Sequence, residues 1–287
     1  MPFLSLISRS SNRFAARLAD PFSELLAGVR PLHDWPVVWL AREPRLAVYG
    51  AALLALLLPL AVAAFIDERT VRDANVWLKP MKFAFSIALL ALTTAWFIGH
   101  LAPPRRASRA VSWIVWLLIG SGSFELAYIT LQAALGQGSH FNIGDAFHAA
   151  MYALMGVGAI VLTATQPMLA WQLHRHPDPR RPAAYRQAVM IGLVLTFVFG
   201  AGVGGVLSTL QPPTGGITLP LFGWSLAGGD LRPAHFVGIH AEQVLPFIGF
   251  VATTLGIVRA KAVVWTATLA YSALFAVLVA WGLVGRL

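Results

Sequence analysis

The chain has 287 residues, 57% of them hydrophobic and only 11% charged, with a formal net charge of +9 and no cysteine. A soluble domain carries about twice that charged fraction, so the composition excludes an ordinary soluble protein. The missing cysteines exclude an internal disulfide and any thiolate metal ligand.

Residues 1–46 are expected to form a cytoplasmic N-terminal segment, and residues 1–30 lack the continuous apolar core of a signal peptide. Within them Arg9, Arg13 and Arg17 recur every four residues, and Phe14, Leu18 and Phe22 do so on another face. That spacing predicts a basic amphipathic helix on the cytoplasmic membrane surface, broken near Asp20-Pro21; a disordered tail is the alternative. Residues 47–287 read as a transmembrane domain, an all-α polytopic helix bundle. The apolar runs approach 20 residues, the length that crosses roughly 30 Å of hydrocarbon. They are continuous, without the two-residue alternation of a barrel strand. Seven spans are expected, over 47–66, 79–101, 111–135, 147–165, 188–210, 235–258 and 262–284. The longest loop, 211–234, opens on Pro212-Pro213-Thr214-Gly215-Gly216 and closes on Gly228-Gly229-Asp230. Its mostly apolar middle suits a lid over a site or a re-entrant or interfacial segment anchored by Trp224.

Loop charges orient the spans. Fifteen of the 21 Lys and Arg residues fall on one side: Arg9, Arg13, Arg17, Arg30, Arg42, Arg45, Arg105, Arg106, Arg109, Arg175, Arg180, Arg181, Arg186, Arg259 and Lys261. Six fall on the other: Arg69, Arg72, Lys79, Lys82, Arg232 and Arg286. By the positive-inside rule the N-terminus is cytoplasmic and the C-terminus outside. The same rule accounts for the basic excess without a nucleic-acid partner.

Ionisable residues inside apolar spans cost several kcal/mol unless paired or facing a wet cavity, and so mark candidate sites. In span two, Asn75, Lys79, Lys82 and Ser86 share a face; the lysines either snorkel to headgroups or, for the deeper Lys82, enter a site. In span three, Ser121, Glu125, Tyr128 and Gln132 form one stripe. Glu125 lies about 15 Å from the outer end at 1.5 Å per residue. A carboxylate there must be protonated, paired or coordinating. Lys82 and Glu125 are the candidate catalytic pair. Ser139-His140-Phe141-Asn142 forms an external loop, after which Asp145 and His148 share a face. Asp145 either orients the imidazole or caps the helix. Met151 and Met155 follow on nearly the same face, a set that suits haem iron or copper or plain core packing. Span five carries Gly200, Gly202, Gly204 and Gly205, for close helix contact or for a flat cofactor. In span six, His235 and Glu242 share a face, while His240 and Gln243 are close enough in angle to line one cavity. His140, His148, His235, His240 and Glu242 are the candidate metal ligands. His148, His235 and His240, with Gly200 and Gly204, are the candidate haem-binding residues.

At Lys79-Pro80-Met81-Lys82-Phe83, Ser139-His140-Phe141-Asn142 and Arg232-Pro233-Ala234-His235-Phe236 the chain resembles a group of uncharacterised bacterial multi-pass membrane proteins. The likeness covers most of residues 75–250. It implies a bacterial inner (cytoplasmic) membrane location and supplies no activity. The seven-span plan is similar to that of adiponectin-receptor and ceramidase-type zinc hydrolases, but their paired histidines on the last helix are missing here.

Three functions are compatible with these residues. One is a redox protein or enzyme with haem b or a transition metal in an outward-facing pocket among spans two, three, four and six. Another is a transporter or receptor for a small, possibly anionic solute. The third is an accessory subunit, in a complex or a homo-oligomer, whose polar groups pair helix to helix through Lys82–Glu125 and Arg232–Glu242.

Overall fold

The computed structural model describes residues 40, 42–213, 217–219 and 222–286. The amphipathic segment expected over residues 9–22 lies outside the described residues. Eight α-helices are present among them: α1 Pro44–Ile66, α2 Leu78–Ile98, α3 Arg109–Ala134, α4 Ala146–Arg175, α5 Ala183–Leu207, α6 Arg232–Ile239, α7 Ala241–Thr254 and α8 Ala260–Leu283. Six of them are long and apolar enough to cross a membrane, and α6 with α7 makes a seventh span bent by 48°. The protein is a multi-pass, all-α membrane bundle.

Local sequence explains most helix ends. Pro44 occupies the first turn of α1, where its missing N–H costs nothing, and the Glu43 side chain accepts from Arg45 N at 3.3 Å. Ser108 caps α3 by accepting from Val111 N at 3.4 Å, and Asp145 caps α4 by accepting from His148 N at 3.0 Å. Helix α4 runs to Arg175, ten residues beyond the expected end of span four. The polar Thr165 and Gln166 that ended the apolar run are buried, and Gln166 donates to Thr94 on α2 at 3.3 Å.

Helix α2 sits at the centre. Ala84, Ala88, Ala91 and Ala95, spaced 4, 3 and 4, are all fully buried. Small side chains let neighbours approach closely where lipid supplies no hydrophobic drive. The main core joins Leu46 of α1, Ile98 of α2, Ile114 and Leu118 of α3, Leu169 of α4 and Leu193 of α5. Helices α5 and α7 pack closest: a Cβ on Gly192 would lie 2.8 Å from Ala241 O, and one on Gly249 2.5 Å from Ala188 Cβ. Large apolar side chains such as Phe65 on α1, Phe247 on α7 and Leu269 on α8 face outward, at 88%, 65% and 69% exposure. In a bilayer this surface meets lipid.

The sixth span is broken at His240, which corrects the continuous helix expected there. A break frees backbone groups that hydrocarbon cannot satisfy. Neighbouring helices supply the partners. Tyr271 on α8 donates to Val237 O. Thr196 on α5 accepts from Glu242 N at 3.0 Å and donates to Ile239 O at 3.5 Å. Pro246 in α7 adds to the irregularity, since its missing N–H leaves Glu242 O without the usual helical donor.

Two small antiparallel hairpins lie at one end of the bundle: β1 Thr70–Val71 with β2 Ala74–Asn75, and β3 Thr218–Leu219 with β4 Trp224–Ser225. We call this the hairpin end. The opposite end, carrying residues 99–108, 176–182 and 255–259, is the arginine-rich end.

Candidate functional site

The ionisable residues of the spans gather in two groups, both lying between the hairpin end and mid-bundle. The first lies among α2, α3 and the start of α4. Glu125, Tyr128 and Gln132 follow each other along one stripe of α3, all buried. Glu125 Oε1, Tyr128 OH and Gln132 Oε1 have no protein hydrogen-bond partner. Buried polar atoms are nearly always partnered, so three on one stripe are unusual. The Glu125 carboxyl reaches toward α4, where a Cβ on Gly158 would sit 2.8 Å from Oε1. Lys79 on α2 is close enough for its charge to act on Glu125, yet the two make no ion pair.

Instead Lys79 Nζ lies 2.9 Å from His140 Nδ1. An ammonium only donates, so His140 Nδ1 accepts and its proton sits on Nε2. Ser139 Oγ lies 3.3 Å from the same nitrogen, whose one lone pair Lys79 already takes. Burial, and then the Lys79 charge, push the His140 imidazole down to about 3. His148 is held separately: Nδ1 meets Asp145 Oδ2 at 2.5 Å and Nε2 meets Gln137 Oε1 at 3.2 Å.

The second group sits at the break in the sixth span. Glu242 is fully buried. Its Oε1 accepts from Gln243 Nε2 at 2.9 Å, and its Oε2 has no protein partner. Gln243 Nε2 also donates to Thr93 on α2 at 3.2 Å. The Gln243 carbonyl oxygen is therefore the acceptor facing His240 Nδ1 at 3.2 Å. In its neutral form His240 then carries its proton on Nδ1 and presents Nε2 as an acceptor. His235 Nδ1 is buried without a protein partner, 3.7 Å from where a Cβ on Gly204 would lie. Gly200 makes room for Ile239 Cγ2, at 2.9 Å from its own notional Cβ. These two glycines seat α6 on α5.

The hairpin β3–β4 covers the second group. Phe222, Trp224, Phe236 and His240 form a run of ring contacts, with centroid distances of 4.6, 5.4 and 4.3 Å between successive rings. Asp230 is fully buried and fixes the cover, accepting from Ser225 N at 2.9 Å and from the Arg232 guanidinium at 2.6 Å. Burial opposes its charge, but Arg232 and the two backbone donors outweigh that and hold the carboxyl below its ordinary value. Among the described residues the loop is a docked hairpin.

The expected single pocket is thus two. Lys79, Glu125 and His140 lie in one and His235, His240 and Glu242 in the other, while His148 bonds Asp145 and Gln137 instead. No hydrogen bond or ion pair among the described residues joins the two groups. Lys82 belongs to neither: it is exposed and donates to Phe222 O at 3.2 Å. The anticipated Lys82–Glu125 and Arg232–Glu242 bridges do not form, because Lys82 holds the hairpin and Arg232 pairs with Asp230 two residues away. No three His, Asp or Glu residues converge as a metal-ligand set among the described residues. The donors of His140, His235, His240 and Glu242 are divided between the groups, and those of His148 lie in neither. Sequence reasoning missed Thr93, Thr196, Gly158 and Tyr271. Brief polar interruptions of an apolar run, Thr93-Thr94, Thr196 and Tyr271-Ser272, are the only signal three of them give, and Gly158 gives none.

No family model, curated protein or solved structure matches the chain. The functional reading therefore rests on these residues.

Proposed function

We propose that the protein binds a small amphoteric solute among α2, α3 and α4 and carries it across the bacterial inner membrane in which it resides. The observation that supports this reading is the unclosed pair: Lys79 and Glu125 act on each other electrostatically but do not touch. Beside them lie the unpartnered oxygens of Glu125, Tyr128 and Gln132. A solute with an amine would give its N–H groups to these three oxygens. Its acidic group would take the Lys79 ammonium from His140. A dry site makes both contacts stronger than they would be in water, and neither charge then stays unpaired in hydrocarbon.

The test is charge movement on a solid-supported membrane after concentration jumps of amino acids, amines and small carboxylic acids. Wild-type proteoliposomes should respond to at least one amphoteric solute. Glu125→Gln, which keeps the shape and removes the ionisable group, should lower the response about tenfold or more, the loss of one charge-assisted hydrogen bond. Responses equal to empty liposomes across the panel would refute the reading.

A second reading, haem b or a transition metal, is favoured by one observation, the open Nδ1 of buried His235 beside Gly204. An absorption spectrum and elemental analysis of the purified protein decide it. A Soret band or stoichiometric metal lost in His235→Ala supports it, and a colourless, metal-free, folded protein rejects it.

A further inference from the structure

The arginine-rich end holds a third polar group, on the side of the bundle away from both sites above. A cleft of about 150 Å³ there is lined by His100, His174, Tyr185 and Arg186 and by the apolar Leu173 and Met190. His100 is 3% exposed, and its Nδ1 has no protein partner. Its Nε2 lies 3.5 Å from Arg42 Nη1. A guanidinium has no acceptor, so Nε2 must accept and Nδ1 must carry the proton. His100 therefore places a buried N–H donor at the cleft with no protein acceptor for it.

The charges around that donor are mostly positive, with Asp178 the one carboxylate that acts on it. Arg42, Arg106 and Arg181 all act on His100, and Arg186 lines the cleft. Three of these four guanidiniums are anchored to neutral carbonyls: Arg42 to Trp96 O at 2.8 Å, Arg106 to Gly99 O at 2.9 Å and Arg186 to Asp178 O at 3.3 Å. Such contacts fix position without cancelling charge. Arg181 is half-buried and its side chain has no hydrogen bond or ion pair among the described residues. The nearby carboxylate, Asp178, is already held by Arg180 at 2.8 Å. Burial and the surrounding arginines hold the His100 imidazole at about 3, so at neutral pH it donates without adding charge.

We propose that this cleft binds a phosphate-bearing anion, with Arg186 and the His100 Nδ1–H as its first donors. Guanidinium forks match phosphate oxygens in geometry. A lipid headgroup and a free phosphate share this chemistry. The apolar wall of Leu173 and Met190 would lie along an acyl chain in the first case and idle in the second.

The experiment uses the full chain in detergent. Native mass spectrometry compares retention of phosphatidylglycerol with that of phosphatidylcholine, and thermal unfolding compares inorganic phosphate with chloride at equal ionic strength. Wild type should favour phosphatidylglycerol or phosphate, and Arg186→Gln should bind it about tenfold more weakly, the loss of one charge-assisted hydrogen bond. Arg186→Lys, which keeps the charge but loses the fork, should bind with an affinity between the two. Preference for the lipid, undiminished by phosphate, identifies a headgroup; stabilisation by phosphate without lipid preference identifies the free anion. Equal retention of both lipids together with equal stability in phosphate and chloride would overturn the proposal in the wild-type protein alone. So would equal binding by folded Arg186→Gln and wild type.

Discussion

Thr196→Val is the sharpest test of how the broken sixth span is held. Valine matches threonine in shape, so packing changes little and the hydroxyl alone is lost. That hydroxyl accepts from Glu242 N at 3.0 Å and donates to Ile239 O at 3.5 Å. Glu242 N is one of the first N–H groups of α7, which no intrahelical carbonyl can satisfy. Its partner comes from α5, a cap supplied by another helix. Losing an N-cap costs about 1 kcal/mol, and leaving a buried donor unsatisfied costs about 1–3 kcal/mol. The longer contact to Ile239 O adds little. We expect about 2 kcal/mol in all, or roughly 4 °C in Tm for a chain of this size. Thermal unfolding of wild type, Thr196→Val and Thr196→Ser in one detergent measures it, with Thr196→Ser retaining most of the stability. A Thr196→Val protein that melts with the wild type would refute the assignment of Thr196 as the cap.

Two other predictions concern packing and pH. Gly192→Ala should destabilise by about 1–3 kcal/mol, because its Cβ would lie 2.8 Å from Ala241 O and 3.0 Å from Glu242 Cα, backbone atoms that cannot step aside. Gly202→Ala, with nothing within 4 Å, should instead be neutral or gain up to about 1 kcal/mol; equal effects in thermal melts would contradict the packing. Acid should weaken the fold through His100 and His140, both held near 3 against an ordinary 6.5. The unfolded chain binds their protons first, so this stability is complete above about pH 6.5 and falls as pH drops toward 3. The slope is about 1.4 kcal/mol per pH unit for each histidine. His140→Asn should reduce that slope between pH 6.5 and 5, and an unchanged slope would show that His140 is not buried neutral.

Much of the architecture was legible in the sequence because hydrocarbon imposes a length and a composition on every span. Spans one, two, three, five and seven lie within a few residues of the helices α1, α2, α3, α5 and α8. Span four was read short because Thr165-Gln166 looks like an ending, while in the bundle Gln166 finds Thr94. The break at His240 left no mark in hydropathy, since the groups that satisfy it, Thr196 and Tyr271, stand on other helices. Helical spacing grouped Glu125 with Tyr128 and Gln132 correctly, because all three stand on one unbroken helix. It could not say which lysine faces them. Lys79 and Lys82 are less than a turn apart, and loop contacts alone send one to His140 and the other to Phe222. Pairing of that kind depends on the folded loops, which no local pattern records.

The cations of the hairpin end have a bearing on how topology can be mapped. Arg69 is paired with Asp67, and Lys79 is bound to His140. Arg72 holds Pro212 O, Lys82 holds Phe222 O, Arg232 holds Asp230, and Arg286 holds Gly229 O and Gln211 O. All six of these Lys and Arg residues are thus structural clamps. A charge-reversal scan meant to flip the protein's insertion would, at this end, also release the loop it clamps, and a misfolded product would be scored as an inverted one. Arg105, Arg109, Arg259 and Lys261 make no side-chain hydrogen bond among the described residues. They are the positions where altered charge reports on orientation alone.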